Sequence, residues 1–163
     1  MLNKNQEERK LEIEKKYLTK ELPFSINEYR YKQITQAYVS VKPTIRIRQS
    51  QEDYFLTVKG KGHVAREEFE LSISKKEFDT LFLKTEGTPV LKKRYYVPIH
   101  HGYTAEVDIY EGALAGLMTT EVEFPTMAEA QCFVPPAWFG KEVSEDKRYK
   151  NTSLSLYGVP QEL

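Results

Sequence analysis

Cysteine is nearly absent from this chain of 163 residues: Cys132 is the only one. A single thiol makes no internal disulfide, and with three histidines in the whole sequence there is no spaced Cys/His set for structural zinc. The expected compartment is a reducing cytoplasm. Cys132 lies among Ala130, Phe133 and Val134 and is expected as a small buried core residue. An excess of one charge is also missing, since 24 basic residues balance 24 acidic ones. That excludes the basic surplus of a nucleic-acid coat, so no nucleic-acid partner is expected. No stretch approaches the roughly 18 apolar residues of a membrane span, and no membrane partner is expected either. The start, Met1 to Lys10, lacks the apolar core of a secretory signal. Nor is there a Walker motif or another Gly-rich phosphate loop. Nucleophiles are poorly provided for. His100 and His101 adjoin Gly102 at an expected solvated turn, His63 sits at another turn edge, and Cys132 has no neighbouring group that would lower its pKa.

What the chain does contain is charge in alternation. With 40% hydrophobic and 29% charged residues it reads as a globular protein, organised as a polar lead over 1–9 and a single domain over 10–163. At period two, Glu12, Glu14 and Lys16 share one face of a first strand, while Leu11, Ile13, Lys15 and Tyr17 share the other. The pattern recurs downstream. Arg46 and Arg48 alternate with Ile45 and Ile47. Arg66, Glu68 and Glu70 alternate with Glu67, Phe69 and Leu71, and Lys92, Arg94 and Tyr96 line up in a later strand. Glu106 and Asp108 oppose Val107 and Ile109, and Glu121 and Glu123 oppose Val122 and Phe124. Between the strands, Ser25 with Glu28 at the capping-box offset suggests a short helix over 25–33. Ser74 with Glu77 caps a second helix over 75–83, Pro125 opens a third through Gln131, and a basic C-terminal helix is expected from near Ser144. Gly60-Lys61-Gly62 marks a hairpin turn.

About eight strands joined by hairpins and one helical crossover predict a mainly β fold, an eight-stranded antiparallel barrel with a few covering helices. Two readings of its interior stand. Either the charges coat the outside of an ordinary apolar barrel, or they line a polar bore whose apolar exterior the amphipathic helices cover. The sorting of charge by strand favours the second. A basic wall of Lys16, Arg46, Arg48, Lys59, Arg66, Lys92 and Arg94 suits several phosphate groups, through guanidinium forks. An acidic wall of Glu12, Glu14, Asp108, Glu121 and Glu123 suits hard divalent cations. Glu68, Glu70 and Glu106 are further candidates on the same faces.

Glu12-x-Glu14-x-Lys16 resembles the ExExK signature of the CYTH superfamily, the triphosphate tunnel metalloenzymes. Its company adds to the resemblance, in chain order: Arg46-Ile47-Arg48, Thr57-Val58-Lys59, Arg66 to Glu70, Lys92-Lys93-Arg94, Glu106-Val107-Asp108, Glu121 to Phe124, then Trp138-Phe139-Gly140 and Glu145 to Asn151. This tail resembles that of the compact bacterial members, the inorganic triphosphatases. The resemblance implies an eight-stranded tunnel that binds a linear triphosphate with Mg²⁺ or Mn²⁺ in a two-metal arrangement. It implies metal binding by Glu12, Glu14, Glu121, Glu123 and Asp108, and phosphate binding by the seven basic residues above. It gives Lys16 and Tyr38 catalytic parts, although a plain strand aromatic is an equal reading of Tyr38. Lys147 and Lys150 would close a tunnel mouth or face solvent. The implied reaction is hydrolysis of tripolyphosphate, with nucleoside triphosphates as weaker substrates. The alternatives are a class IV adenylyl cyclase, a thiamine triphosphatase and a polyphosphate-binding module without turnover. A homodimer is expected if outward Ile45, Ile47 and Val107 exceed what the helices cover.

Overall fold

The alternation closes into a cylinder. The computed structural model describes residues 10–61 and 64–161. Its strands are β1 (Lys10–Leu18), β2 (Tyr31–Ser40), β3 (Thr44–Ser50), β4 (Asp53–Lys59), β5 (Ala65–Ile73), β6 (Glu86–Pro98), β7 (Thr104–Glu111) and β8 (Met118–Glu123). They pair antiparallel in the order β1-β5-β4-β3-β2-β6-β7-β8, and β8 returns to β1. Closure gives every strand a neighbour on both sides. It also gives the period-two pattern a single meaning, because one face of every strand must turn toward the axis. The registers put charged residues opposite one another inside the ring: Glu14 beside Glu123, Lys16 beside Glu121, Glu12 beside Arg66 and Arg94 beside Asp108.

Outside, apolar alternates pack under helices. The helix α1 (Lys75–Phe82) starts with the reciprocal Ser74–Glu77 capping box and lays Phe78 on Ala37 and Ile47. The helix α2 (Met127–Cys132), capped by Thr126, brings Ala130 and Phe133 onto Ile13, Val107 and Val122. Ile47 and Val107 are thus fully covered and Ile45 is half-buried, so these three are not an outward apolar surplus. Among the described residues, the apolar side chains left open on the strands' outer face are instead Leu11, Tyr31, Val58, Phe69, Leu71 and Leu91. Cys132 is also a correction: it ends α2 on the exposed side, while Phe133 takes the inward position beside it.

Two further segments differ from expectation. Over 25–33 only a 3-10 turn forms, Ile26–Glu28, and the Ser25 side chain caps nothing. Pairing of Tyr31, Lys32 and Gln33 with β6 claims the rest for β2, and so short a helix has little stability of its own to oppose it. The expected C-terminal helix from Ser144 is displaced as well. Residues 140–143 first run beside β1, with Gly140 N–H donating to Leu18 O and Val143 N–H to Lys16 O. A 3-10 turn over Lys147–Tyr149 follows, then the helix α3 (Asn151–Tyr157). Val143, Tyr149 and Leu154 join inward-facing Val90 and Tyr110 in an apolar plug. One end of the cylinder is therefore stoppered by the chain's own tail. The expected lead over 1–9, Gly62 and His63 lie outside the described residues. Among those described, no helix is long and apolar enough to cross a membrane.

Candidate active site

The interior encloses a cavity of about 1230 Å³ lined by residues from all eight strands and by the tail. Of the basic candidates, Lys16, Arg46, Arg48, Lys59, Arg66 and Arg94 stand on its wall. So do the acidic Glu12, Glu14, Glu68, Glu70, Glu106, Glu121 and Glu123, together with Tyr38, Lys147 and Lys150. Two candidates do not. Asp108 and Lys92 are completely buried, beyond the wall toward the plug, 2.8 Å from each other. Asp108 receives Nε and Nη2 of Arg94, each at 2.8 Å, so both its oxygens are occupied. Asp108 thus braces Arg94, and neither it nor Lys92 lines the cavity. The alternation put both on the inward face, which is correct, but could not show that the tail seals that end.

The remaining cations divide into two kinds. Lys59 lies 3.0 Å from Glu12, Arg66 lies 3.9 Å from Glu14, and Arg94 reaches Glu106 at 3.0 Å. Lys16 lies 3.7 Å from Glu121, and its Nζ donates to the Tyr149 carbonyl at 2.7 Å. Arg46 and Arg48 are different: among the described residues neither has a carboxylate within ion-pair distance. Arg46 Nη2 donates to the Thr57 hydroxyl at 3.3 Å, and its buried Nε has no partner. Arg48 donates through Nε and Nη2 to the neutral Gln36 Oε1 at 3.1 and 2.9 Å. Burial first, then Arg46 and Arg94, pull the Arg48 guanidinium down to about 10. One buried and one half-buried guanidinium with no counter-ion among the described residues make a strong sink for an anion.

Opposite them the acids crowd. Glu12 is in hydrogen-bond contact with Glu68 and with Glu14, and Glu14 with Glu121, so a row of four carboxyls must share protons. Burial, then the charges of Glu121 and Glu12, hold Glu14 well above the usual carboxylate range. Burial and the adjacent Glu12 push Glu68 up to about 7. At Glu121 burial acts upward too, but Lys16, Arg94 and Lys92 outweigh it and the carboxyl is held below its ordinary value. This donor set fits a hard divalent cation, which would replace the shared protons. Among the described residues no three acidic, His or Cys side chains are already arranged to hold an ion. Oxygens from water and substrate phosphates would complete the shell, as is usual for Mg²⁺.

Several contributors escaped the sequence reading. Gln36 and Thr57 face inward and anchor Arg48 and Arg46, and Ser144 Oγ accepts the Lys16 backbone N–H at 3.0 Å. Lys32, Lys42 and Lys61 also line the cavity. Gln36 was legible by parity, since it lies two positions before Tyr38 on the same strand face. The tail's contacts had no local signal.

A closed antiparallel barrel with cations and carboxylates lining a wet bore defines the class of a polar β tunnel. More narrowly, the chain belongs to the CYTH domain family, whose model matches residues 6–153. It is 42% identical over 149 residues to the inorganic triphosphatase of Nitrosomonas europaea, covering 89% of this chain and 97% of that one. To the inorganic triphosphatase of Acetivibrio thermocellus it is 35% identical over 112 residues, covering 68% and 70%. Among solved structures, that of the inorganic triphosphatase NE1496 superposes with a TM-score of 0.67 at 37% identity, covering 91% of this chain and 97% of that one.

Proposed function

We propose that the protein is a divalent-metal-dependent inorganic triphosphatase that hydrolyses tripolyphosphate to pyrophosphate and orthophosphate, and nucleoside triphosphates more weakly. The observation that carries the reading is the pair of buried Arg46 and half-buried Arg48, with no carboxylate in ion-pair distance among the described residues, across the bore from four proton-sharing carboxyls. A linear triphosphate with bound cations satisfies both walls at once. The two relatives named above, both inorganic triphosphatases, support the same reading. The free, exposed thiol of Cys132 accords with a cytoplasmic location.

In this reading Arg46, Arg48, Lys59, Arg66 and Arg94 hold phosphate oxygens, with Lys147 and Lys150 at the tail side of the cavity. Glu12, Glu14, Glu121 and Glu123 hold Mg²⁺ or Mn²⁺, with Glu68, Glu70 and Glu106 behind them. A divalent cation held there would supply charge neutralisation and would lower the pKa of the attacking water. Water oxygen attacks the terminal phosphorus, the bond to the bridging oxygen breaks, and pyrophosphate leaves with the bond's electron pair. Lys16 is held by Tyr149 O at the tail, close enough to Glu121 to turn toward the leaving oxygen. Tyr38 presents a hydroxyl to the same chamber. Fixed cations aimed at charge as it develops are the main source of acceleration in such a site.

Incubation with tripolyphosphate and Mg²⁺ or Mn²⁺, with products resolved by ion chromatography, is expected to give equal amounts of pyrophosphate and orthophosphate. Cyclic AMP from ATP would make the protein a cyclase. Tight tripolyphosphate binding without turnover under any divalent metal would make it a binding module.

A further inference from the structure

We propose that Gln36 is a positioning residue of this site: its carboxamide joins Arg48 to Tyr38, leaving the arginine's charge unneutralised and the tyrosine's hydrogen free to point at the substrate. The inference rests on the triphosphatase reading and assigns a part to a side chain that does not touch the cavity.

Gln36 is fully buried behind the wall, whereas Arg48 and Tyr38 both stand on it. Which way its amide faces follows from hydrogen-bond chemistry. A guanidinium only donates, so the atom that accepts from Arg48 Nε and Nη2 has to be the oxygen. The amide nitrogen is thereby fixed on the other side, where it donates to Tyr38 Oη at 3.1 Å. With one lone pair of Oη taken, the phenol's own hydrogen is directed elsewhere, and the cavity is the open side. Burial raises the Tyr38 pKa against the pull of Arg46, Arg48 and Arg66, so this hydrogen is retained at neutral pH. The backbone assists. Pairing of β2 with β6 runs regularly to Gln36 opposite Val90, then slips before Tyr38 opposite Glu86. Such an irregularity re-aims the side chain that follows it.

The choice of an amide over an acid matters here. A glutamate at position 36 would keep two acceptor contacts to Arg48 and strengthen them by charge. It would also cancel the cation that faces the phosphates, and it would draw the Tyr38 hydrogen to itself. If Gln36 served only to tie β2 to β3, Gln36→Glu would be silent or stabilising. If it positions Arg48 and Tyr38 for substrate, the same change is damaging although the fold survives.

The test combines Gln36→Glu, Tyr38→Phe and the double variant in full-length protein. Steady-state kinetics on tripolyphosphate with Mg²⁺ and metal-free tripolyphosphate binding by calorimetry are both measured. Expected are a folded Gln36→Glu protein by thermal melting, binding weakened about tenfold or more, and kcat/KM lowered by at least as much. The kcat loss from Gln36→Glu should shrink in the Tyr38→Phe background, because the two share one effect. Binding and kinetics within about twofold of wild type would overturn the proposal, and so would losses that multiply independently. Should Gln36→Glu not fold, Gln36→Met carries the same cycle, with the same non-additivity expected. Wild-type protein that binds tripolyphosphate without hydrolysing it would refute the hydrolase reading alone. The binding ratio would then decide the part of Gln36.

Discussion

Glu14 shows how a residue suited to its ligand is unsuited to its own fold. It sits between Glu12 and Glu121, and burial with the charges of those two neighbours raises its carboxyl well above the usual range. Glutamine in its place is neutral at every pH, so the replacement removes the repulsion that appears whenever the Glu14 carboxyl gives up its proton, which a bound cation would otherwise relieve. Glu14→Gln is therefore expected to raise the melting temperature of the metal-free protein, by about 2–4 °C for each kcal/mol recovered in a chain of this size. The same change is expected to lower turnover about tenfold or more, at least 1.4 kcal/mol of transition-state stabilisation. Arg48→Ala is expected to cost a similar factor for the opposite reason, since it empties the anion sink that Gln36 holds open. A melting temperature for Glu14→Gln below wild type without metal would mean that the carboxyl row is not under strain.

Among the elements, the strands were legible and the tail was not, and the reason is physical. A strand declares its inward face by parity, so Glu12, Arg46, Arg94 and Glu121 were placed on one surface before any contact was known. The tail has no period. Its position is set by long-range bonds: Gly140 N–H to Leu18 O, Leu18 N–H to Lys141 O, and Ser155 Oγ to Thr88 O at 2.6 Å. Those contacts decide that Asp108 and Lys92 lie sealed beneath a plug, which no pattern in β6 or β7 could reveal. Gly140 is where the segment comes closest to β1, because a Cβ there would run into the Leu18 carbonyl. Gly140→Ala is expected to destabilise by about 1–3 kcal/mol, read as a lower urea midpoint at unchanged m. Activity should fall as well, since Ser144 and Tyr149 hold Lys16 from the same segment. Ser155→Ala, far from Lys16, should cost about 1 kcal/mol of stability and leave kcat intact. Equal kcat losses in both variants would mean that the tail acts only through global stability.

For the whole molecule, the balance of charge reported by composition conceals two walls that each want a partner, and pH exposes the acidic one. Glu68, Glu14 and Glu106 all have carboxyls raised above the ordinary value, each chiefly by burial. A raised carboxyl binds its proton more tightly folded than unfolded, so it favours the fold below its ordinary pKa and loses that contribution as pH rises through the folded value. For Glu68 the window runs from 4.5 to about 7. The buried Lys92 amine, pushed down from 10.5 to about 7, acts in the other window: stability returns as pH rises from about 7 toward 10.5. Metal-free protein is thus expected to show a melting temperature that falls from pH 4.5 to near 7. Saturating Mg²⁺ should flatten that fall, because a dication takes the place of the shared protons and stabilises the folded state by mass action. Scanning calorimetry with EDTA and with Mg²⁺ across this range measures both slopes. Parallel curves, shifted but equally steep, would mean that Mg²⁺ binds somewhere other than the Glu12–Glu14–Glu121 row.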